Sequence, residues 1–137
     1  MRVLGLDYGS RHIGVALGDT DSRIASPWGV IDYENRLDAL ERIHSIIRQD
    51  AVSAIVVGVP HILRDTSQIT AQIREARSFL QDVEKFGIPV HETDETMSTK
   101  LAAVYMRDRN EKGKRDDMAA VVILQTWLDT KPSLENE

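Results

Sequence analysis

The chain contains no cysteine in its 137 residues. Disulfides, thiolate metal sites and a cysteine nucleophile are therefore excluded, and the absence suits a reducing cytoplasm. No apolar run approaches the roughly 20 residues that a helix needs to cross a bilayer, and the N-terminus lacks the pattern of a secretory signal. We therefore expect a cytoplasmic protein with no membrane partner.

Aromatic residues are scarce at 5%, but hydrophobic residues make up 42% of the chain, which is enough for one buried core. The sequence predicts a single domain over residues 1–130 and a polar tail over residues 131–137. The formal net charge of −5 argues mildly against nucleic-acid binding. Residues 107–115 nevertheless carry five cations against two anions. Such a run is either a solvated loop or a segment that contacts phosphates.

Apolar periodicity predicts the secondary structure. A hairpin opens the chain and a third strand, interrupted by proline and glycine, follows. A later pair of strands joined by a helix predicts a right-handed crossover between parallel strands. The predicted strands are 24–31, 54–59 and 88–92 after the hairpin, and the predicted helices are 35–50, 69–83, 98–109 and 117–129. The fold class is therefore α/β, a mixed five-stranded sheet of three antiparallel strands plus parallel strands, with helices on both faces.

Acidic residues stand at the ends of the predicted elements. Asp7 ends the first strand, Asp94 and Glu95 follow the last strand, and Asp116 and Asp117 precede the last helix. Each also has an ordinary structural role open to it, because aspartate favours turns and helix N-termini. Carboxylates that converge repel one another unless a cation neutralises them, and oxygen ligands favour magnesium or manganese. Two such ions about 4 Å apart can hydrolyse a phosphodiester.

Five segments carry a resemblance to a known family. They are Asp7-Tyr8-Gly9-Ser10, Ile13-Gly14-Val15-Ala16, Val56-Val57-Gly58-Val59-Pro60, Thr93-Asp94-Glu95-Thr96 and Lys114-Arg115-Asp116-Asp117-Met118-Ala119-Ala120. Together they resemble the YqgF family, also called the RuvX-type or Holliday junction resolvase-like family, from about Arg2 to Asp129. The resemblance implies a ribonuclease H-like fold and a cytoplasmic, metal-dependent bacterial nuclease that matures the 5′ end of the 16S ribosomal RNA precursor. Junction resolution in DNA has also been proposed for the family.

The resemblance also implies the site. Asp7, Glu95 and Asp116 occupy the catalytic and metal-binding positions, with Asp94 and Asp117 as their nearest substitutes, and Mg²⁺ or Mn²⁺ is the cofactor, as two ions with substrate. The cations expected to contact nucleic acid are Arg11, Arg64, Lys100, Arg107, Arg109, Lys112, Lys114 and Arg115.

Two departures from the family pattern stand close to this site. Residues 61–66 lack the Asn and the Asp-Gly pair that family members often have, and Thr96 stands where an arginine usually follows the acidic pair. Arg64 or Lys100 is a candidate replacement for that arginine.

The leading hypothesis is a nuclease acting on structured RNA, with ribosomal precursor particles as partners. A resolvase of branched DNA is the first alternative and needs a homodimer to cut two strands. A second is an RNA- or ribosome-binding factor with a degenerate site, which the two departures suggest. A third is a nucleotide-binding protein, because Asp-x-Gly-Ser with a following Gly-Val-Ala resembles the first phosphate loop of actin-like ATPases, although those need two such domains.

Overall fold

The structure, a computed structural model, describes residues 1–9, 11–59, 71–94 and 115–130. Within these ranges the elements are β1 (Arg2–Tyr8), β2 (His12–Asp19), β3 (Ile24–Asp32), α1 (Arg36–Gln49), β4 (Val52–Val59), α2 (Ala71–Glu84), β5 (Val90–Asp94) and α3 (Arg115–Thr130). The sheet order is β3-β2-β1-β4-β5. β2 pairs antiparallel with β1 and β3, and β4 pairs parallel with β1 and β5. The predicted mixed five-stranded sheet is therefore confirmed, while the helix predicted over 98–109 lies outside the described residues.

Several predicted boundaries are wrong by one or two residues, including the start of β4 at Val52 rather than residue 54, and three of them bear on the site. β5 starts at Val90 rather than residue 88, because Pro89 has no N–H to donate, although its carbonyl accepts from the Ile55 N–H at 2.9 Å. α3 begins at Arg115, so Asp116 lies in its first turn, where a carboxylate is favoured by the helix dipole, and not at the N-cap. Asp7 lies inside β1, since the hairpin ladder pairs it with Gly14.

The first face of the sheet is covered by α1 and α2, and helices on both faces are as predicted. α1 starts after Asn35, whose side chain accepts a hydrogen bond from the Asp38 N–H at 2.9 Å. The fully buried core under these two helices includes Leu4, Leu6, Ile13, Val15, Ile43, Ile55 and Phe79. Alternate residues of the strands supply the core of the opposite face.

The second face is covered by α3, which packs unusually close because that face is built from small residues. A Cβ at Gly5 would lie 2.8 Å from the Leu124 Cβ and 3.2 Å from the Ala120 carbonyl oxygen. A Cβ at Gly18 would lie 3.0 Å from the Leu124 Cδ2. Glycine at these places lets the helix backbone approach the strands directly. Although α3 is largely buried, no helix in the described ranges is both long and apolar enough to cross a membrane.

The Gly5→Ala substitution tests this close packing. The added methyl group meets the helix backbone as well as a side chain, so we expect the free energy of unfolding to fall by about 1–3 kcal/mol in urea denaturation. Ser26→Ala, on the exposed edge strand β3, is the control and is expected within about 0.5 kcal/mol of wild type. An unchanged unfolding free energy for Gly5→Ala would contradict the packing described.

Candidate active site

Asp7 lies on the face of the sheet that α3 covers. Its neighbours Leu4 and Leu6 belong to the core under α1 and α2, whereas Gly5 lies against Leu124 of α3. Because side chains alternate along a strand, Asp7 shares the face of Gly5. Asp7 is half-buried, next to strand residues that are fully buried. A carboxylate here projects from the rigid central strand of the sheet.

The parallel strands β4 and β5 end at the same level as Asp7. β1 and β4 pair as far as Leu6 with Val57, and the next residue of β4, Gly58, pairs with Thr93 of β5. Gly58 lies under Ile123 of α3. The carboxyl ends of three parallel strands therefore form one edge, which is where open α/β sheets bind ligands.

The first turn of α3 lies toward this same edge. Ala120 is against Gly5, whereas Leu128, two turns later, is against Gly18 at the opposite end of the hairpin. The helix therefore starts at the Asp7 end of the sheet. Asp116 is about 6 Å along the helix from Ala120, and Asp7 is about 6–7 Å along the strand from Gly5. The backbone thus brings residues 7 and 116 to one end of the molecule.

Part of the predicted site falls outside what the structure describes. Glu95, Arg64, Lys100, Arg107, Arg109, Lys112 and Lys114 lie outside the described residues, and so do the side chains of Asp94, Arg115, Asp116 and Asp117. Among the side chains that are described, no group of three His, Cys, Asp or Glu residues is placed to hold a metal ion. The metal set therefore stays a prediction.

Arg11 is exposed and lines an open cleft of about 510 Å³ beside the start of α1. Two other basic side chains of this cleft are paired with carboxylates, since the His12 ring hydrogen-bonds Asp32 and the Arg42 Nε lies 3.4 Å from Asp38. Among the described residues lining this cleft, Arg11 is therefore the cation with the most freedom to contact a phosphate.

A polar network on the opposite face, which the sequence analysis missed, holds the residues that follow Asp7. Tyr8 stacks on Phe79 with ring centroids 4.4 Å apart and accepts a hydrogen bond from the Arg36 Nη2 at 3.3 Å. The Tyr33 hydroxyl donates to the Gly9 carbonyl at 2.5 Å. The pKa of Tyr33 is raised far above its ordinary value, mainly by burial and secondly by a hydrogen bond with Tyr8. The sole sequence signal was the place of Tyr8 in the motif after Asp7.

The fold is shared with solved nuclease structures. RuvC of T. thermophilus, in complex with a Holliday junction substrate, superposes with a TM-score of 0.61 at 18% identity over 96% of each chain. The yeast mitochondrial Holliday junction resolvase Ydc2 superposes with a TM-score of 0.57 at 16% identity, over 98% of this chain and 80% of that one. The architecture is therefore ribonuclease H-like, as the resemblance implied.

The model of the RuvX family, described as Holliday junction resolvase, matches residues 1–130, and the chain belongs to this family. Two curated relatives bear the name "Putative pre-16S rRNA nuclease". The one from Maridesulfovibrio salexigens is 32% identical over 134 residues, 93% of this chain and 98% of that protein. The one from Anaeromyxobacter sp. is 39% identical over 135 residues, 94% of this chain and 97% of that protein. The predicted family and nuclease class are thus confirmed.

The raised pKa of Tyr33 predicts a late-titrating phenol. A group whose pKa is higher in the folded than in the unfolded state stabilises the folded protein as long as the pH is below the unfolded pKa, which is about 10 for tyrosine. This stabilisation is lost as the pH rises from there through the folded pKa. We therefore expect wild type to lose more unfolding free energy than Tyr33→Phe as the pH rises above about 10. Ultraviolet titration of the phenols measures this pKa. The part of the wild-type absorbance change that is missing in Tyr33→Phe should lie well above pH 10, and a missing part centred near pH 10 would contradict the raised pKa.

Proposed function

We propose that this protein is a divalent-metal-dependent nuclease that cleaves the precursor of 16S ribosomal RNA, through a single domain over residues 1–130. The observation that carries the proposal is the meeting of the carboxyl ends of β1, β4 and β5 with the start of α3 at one edge of the sheet, with Asp7 on the α3 face. The name of the relatives supports the RNA substrate. Ribosomal precursor particles in the cytoplasm are the proposed setting.

Asp7, Glu95 and Asp116 are the proposed catalytic residues and metal ligands. Glu95 comes directly after β5, whose carboxyl end lies at this edge of the sheet, and the family resemblance assigns the ligand to Glu95 with Asp94 as its substitute. Asp116 precedes Ala120 by four residues, and such residues share a helix face. Asp117 precedes Ala120 by three residues and shares that face as well, so the family resemblance is what favours Asp116, with Asp117 as its substitute.

The chemistry of these donors fits Mg²⁺ or Mn²⁺. All three are carboxylates, which are hard oxygen ligands and repel one another without a cation, and such sites take substrate phosphates as remaining ligands. When bound, the ions supply a water of lowered pKa and neutralise charge on the leaving oxygen. Asp7 would provide one carboxylate ligand at a fixed position, because its strand is central in the sheet and paired on both sides. Mg²⁺ and Mn²⁺ remain equal candidates, with two ions in the presence of substrate.

Eight cations are proposed to hold the substrate backbone at this edge. They are Arg11, Arg64, Lys100, Arg107, Arg109, Lys112, Lys114 and Arg115. At the proposed site, these cations would supply a local excess of positive charge for binding phosphates, although the net charge of the chain is −5.

Cleavage of branched DNA is the second candidate function, because the matching family is described as Holliday junction resolvase. A resolvase cuts two strands related by symmetry, so this candidate requires a homodimer. Substrate and oligomeric state distinguish this candidate from the RNA nuclease.

The Asp7→Asn substitution tests the acidic site. Removal of a residue that only orients a metal ligand can lower activity by up to about 100-fold, and Asp7→Asn removes a proposed ligand itself. We therefore expect the rate of cleavage of a labelled 16S precursor fragment to fall about 100-fold or more in Mg²⁺ and in Mn²⁺. Asp19→Asn, at the far end of β2, is the matched control and should cleave like wild type. Equal cleavage by Asp7→Asn and wild type would contradict the site.

The same assay with a four-way DNA junction distinguishes the functions. Cleavage of the RNA alone supports the proposal, and junction cleavage by a dimer that is lost in Asp7→Asn supports resolution. Salt-dependent RNA binding without cleavage in either metal would favour the degenerate binding factor.

The double variant Arg107→Gln/Arg109→Gln tests the basic segment. We expect weaker RNA binding and a plot of log affinity against log salt that is less steep by about 0.7 for each lost phosphate contact. The control is Arg48→Gln/Arg77→Gln, which removes two exposed cations from α1 and α2 on the other face of the sheet. If both double variants have the salt slope of wild type, the segment is a solvated loop.

A further inference from the structure

The two residues that follow Asp7 are both held from the face of the sheet opposite to Asp7. The Tyr8 side chain is stacked on Phe79, which is fully buried, and its hydroxyl is hydrogen-bonded by Arg36. The Gly9 carbonyl accepts the 2.5 Å hydrogen bond from Tyr33. The end of β1 is therefore fixed both through a side chain and through the backbone immediately beyond Asp7.

Arg36 connects these contacts to two helices. It is the first residue of α1, and its guanidinium donates to the Ser78 Oγ at 2.7 Å, to the Asp82 Oδ2 at 3.4 Å and to the Glu75 carbonyl at 3.3 Å, all in α2. Its carbon Cζ lies 5.9 Å from the centre of the Tyr8 ring. The network is therefore anchored in the packing of α1 against α2.

We propose that Tyr33 is a positioning residue for the Asp7 carboxylate and acts through Gly9 and Tyr8. Rotation of the backbone at the end of β1 would swing Asp7 on the α3 face, and the bond from Tyr33 to the Gly9 carbonyl opposes that rotation. Catalysis depends on such placement, since a displacement of about 1 Å can cost about 100-fold in rate. The inference rests on the proposed function, because the position of Asp7 matters only if Asp7 is a ligand.

A positioning role differs from general stabilisation in what it changes. Tyr8, Tyr33 and Arg36 are only half-buried, whereas the core beside them is fully buried. Removal of the Tyr33 hydroxyl should therefore leave the fold intact. The effect should be confined to the geometry at residues 7–9 and to what Asp7 binds.

Tyr33→Phe is the test, since it removes one oxygen and keeps the ring. We expect kcat on the RNA fragment to fall about 10-fold with KM little changed, as for loss of a residue that orients a metal ligand. The dissociation constant for Mn²⁺, measured on the protein without RNA by the paramagnetic resonance of the free ion, should rise by about the same factor. Amide hydrogen exchange should accelerate at residues 7–9.

The matched control is Thr130→Val, which also removes a hydroxyl that donates to a backbone carbonyl, that of Trp127 at 3.0 Å, but at the far end of α3. It should match wild type in kcat, Mn²⁺ affinity and exchange at residues 7–9. Ser78→Ala, which removes one Arg36 contact, should shift the same quantities less than Tyr33→Phe.

Asp7→Asn, measured in parallel, separates the two proposals. If it leaves cleavage and Mn²⁺ binding unchanged, the proposed function fails and the inference fails with it. If Asp7→Asn abolishes both while Tyr33→Phe behaves like wild type, the inference alone is overturned. A loss in Tyr33→Phe that Thr130→Val reproduces would also overturn it.

Discussion

Close packing of α3 on the small residues of the sheet is the interaction on which the rest of the structure depends. Gly5 has no side chain to separate the strand from Ala120 and Leu124, so the helix axis is held close to β1. Protein interiors are packed densely enough that one added methyl group shifts a neighbouring element. The glycine therefore does more than complete the core. It sets how near the first turn of α3, which carries Asp116, comes to the edge where Asp7 lies.

The proposed site is supported from both faces of the sheet because Asp7 and Tyr8 are adjacent in one strand. Alternation sends the carboxylate toward α3 and the phenol toward α1 and α2. The proposed chemistry therefore lies on one face of the sheet, and the contacts that anchor the strand lie on the other. A functional group on a central strand, with its neighbours locked by packing and hydrogen bonds, is placed more exactly than one on a free loop.

Elements with a clear period could be predicted from the sequence, and contacts between distant residues could not. The β-branched run predicted the strand β4, and the apolar stripe at helical spacing predicted the helix α1. Glycine and proline marked the hairpin and the edge strand. The offset of β5 follows from the missing N–H of Pro89, which a hydrophobic pattern does not weigh. The bond from Tyr33 to Gly9 joins residues 24 positions apart and leaves no periodic signal. The place of Asp7 near the end of β1 was predictable to within one residue, whereas the catalytic roles of Asp7, Glu95 and Asp116 stay predictions.

The most direct test of the account is to map which chain segments surround a bound metal ion. Fe²⁺ replaces Mg²⁺ at oxygen sites, and with ascorbate and peroxide it releases hydroxyl radicals that cut the polypeptide near the ion. If Asp7, Glu95 and Asp116 share one site, cuts should occur together near residues 7, 95 and 116, should fade as Mg²⁺ is added, and should be absent in Asp7→Asn. Cuts confined to a single segment, or unaffected by Mg²⁺ and by Asp7→Asn, would contradict a shared metal site.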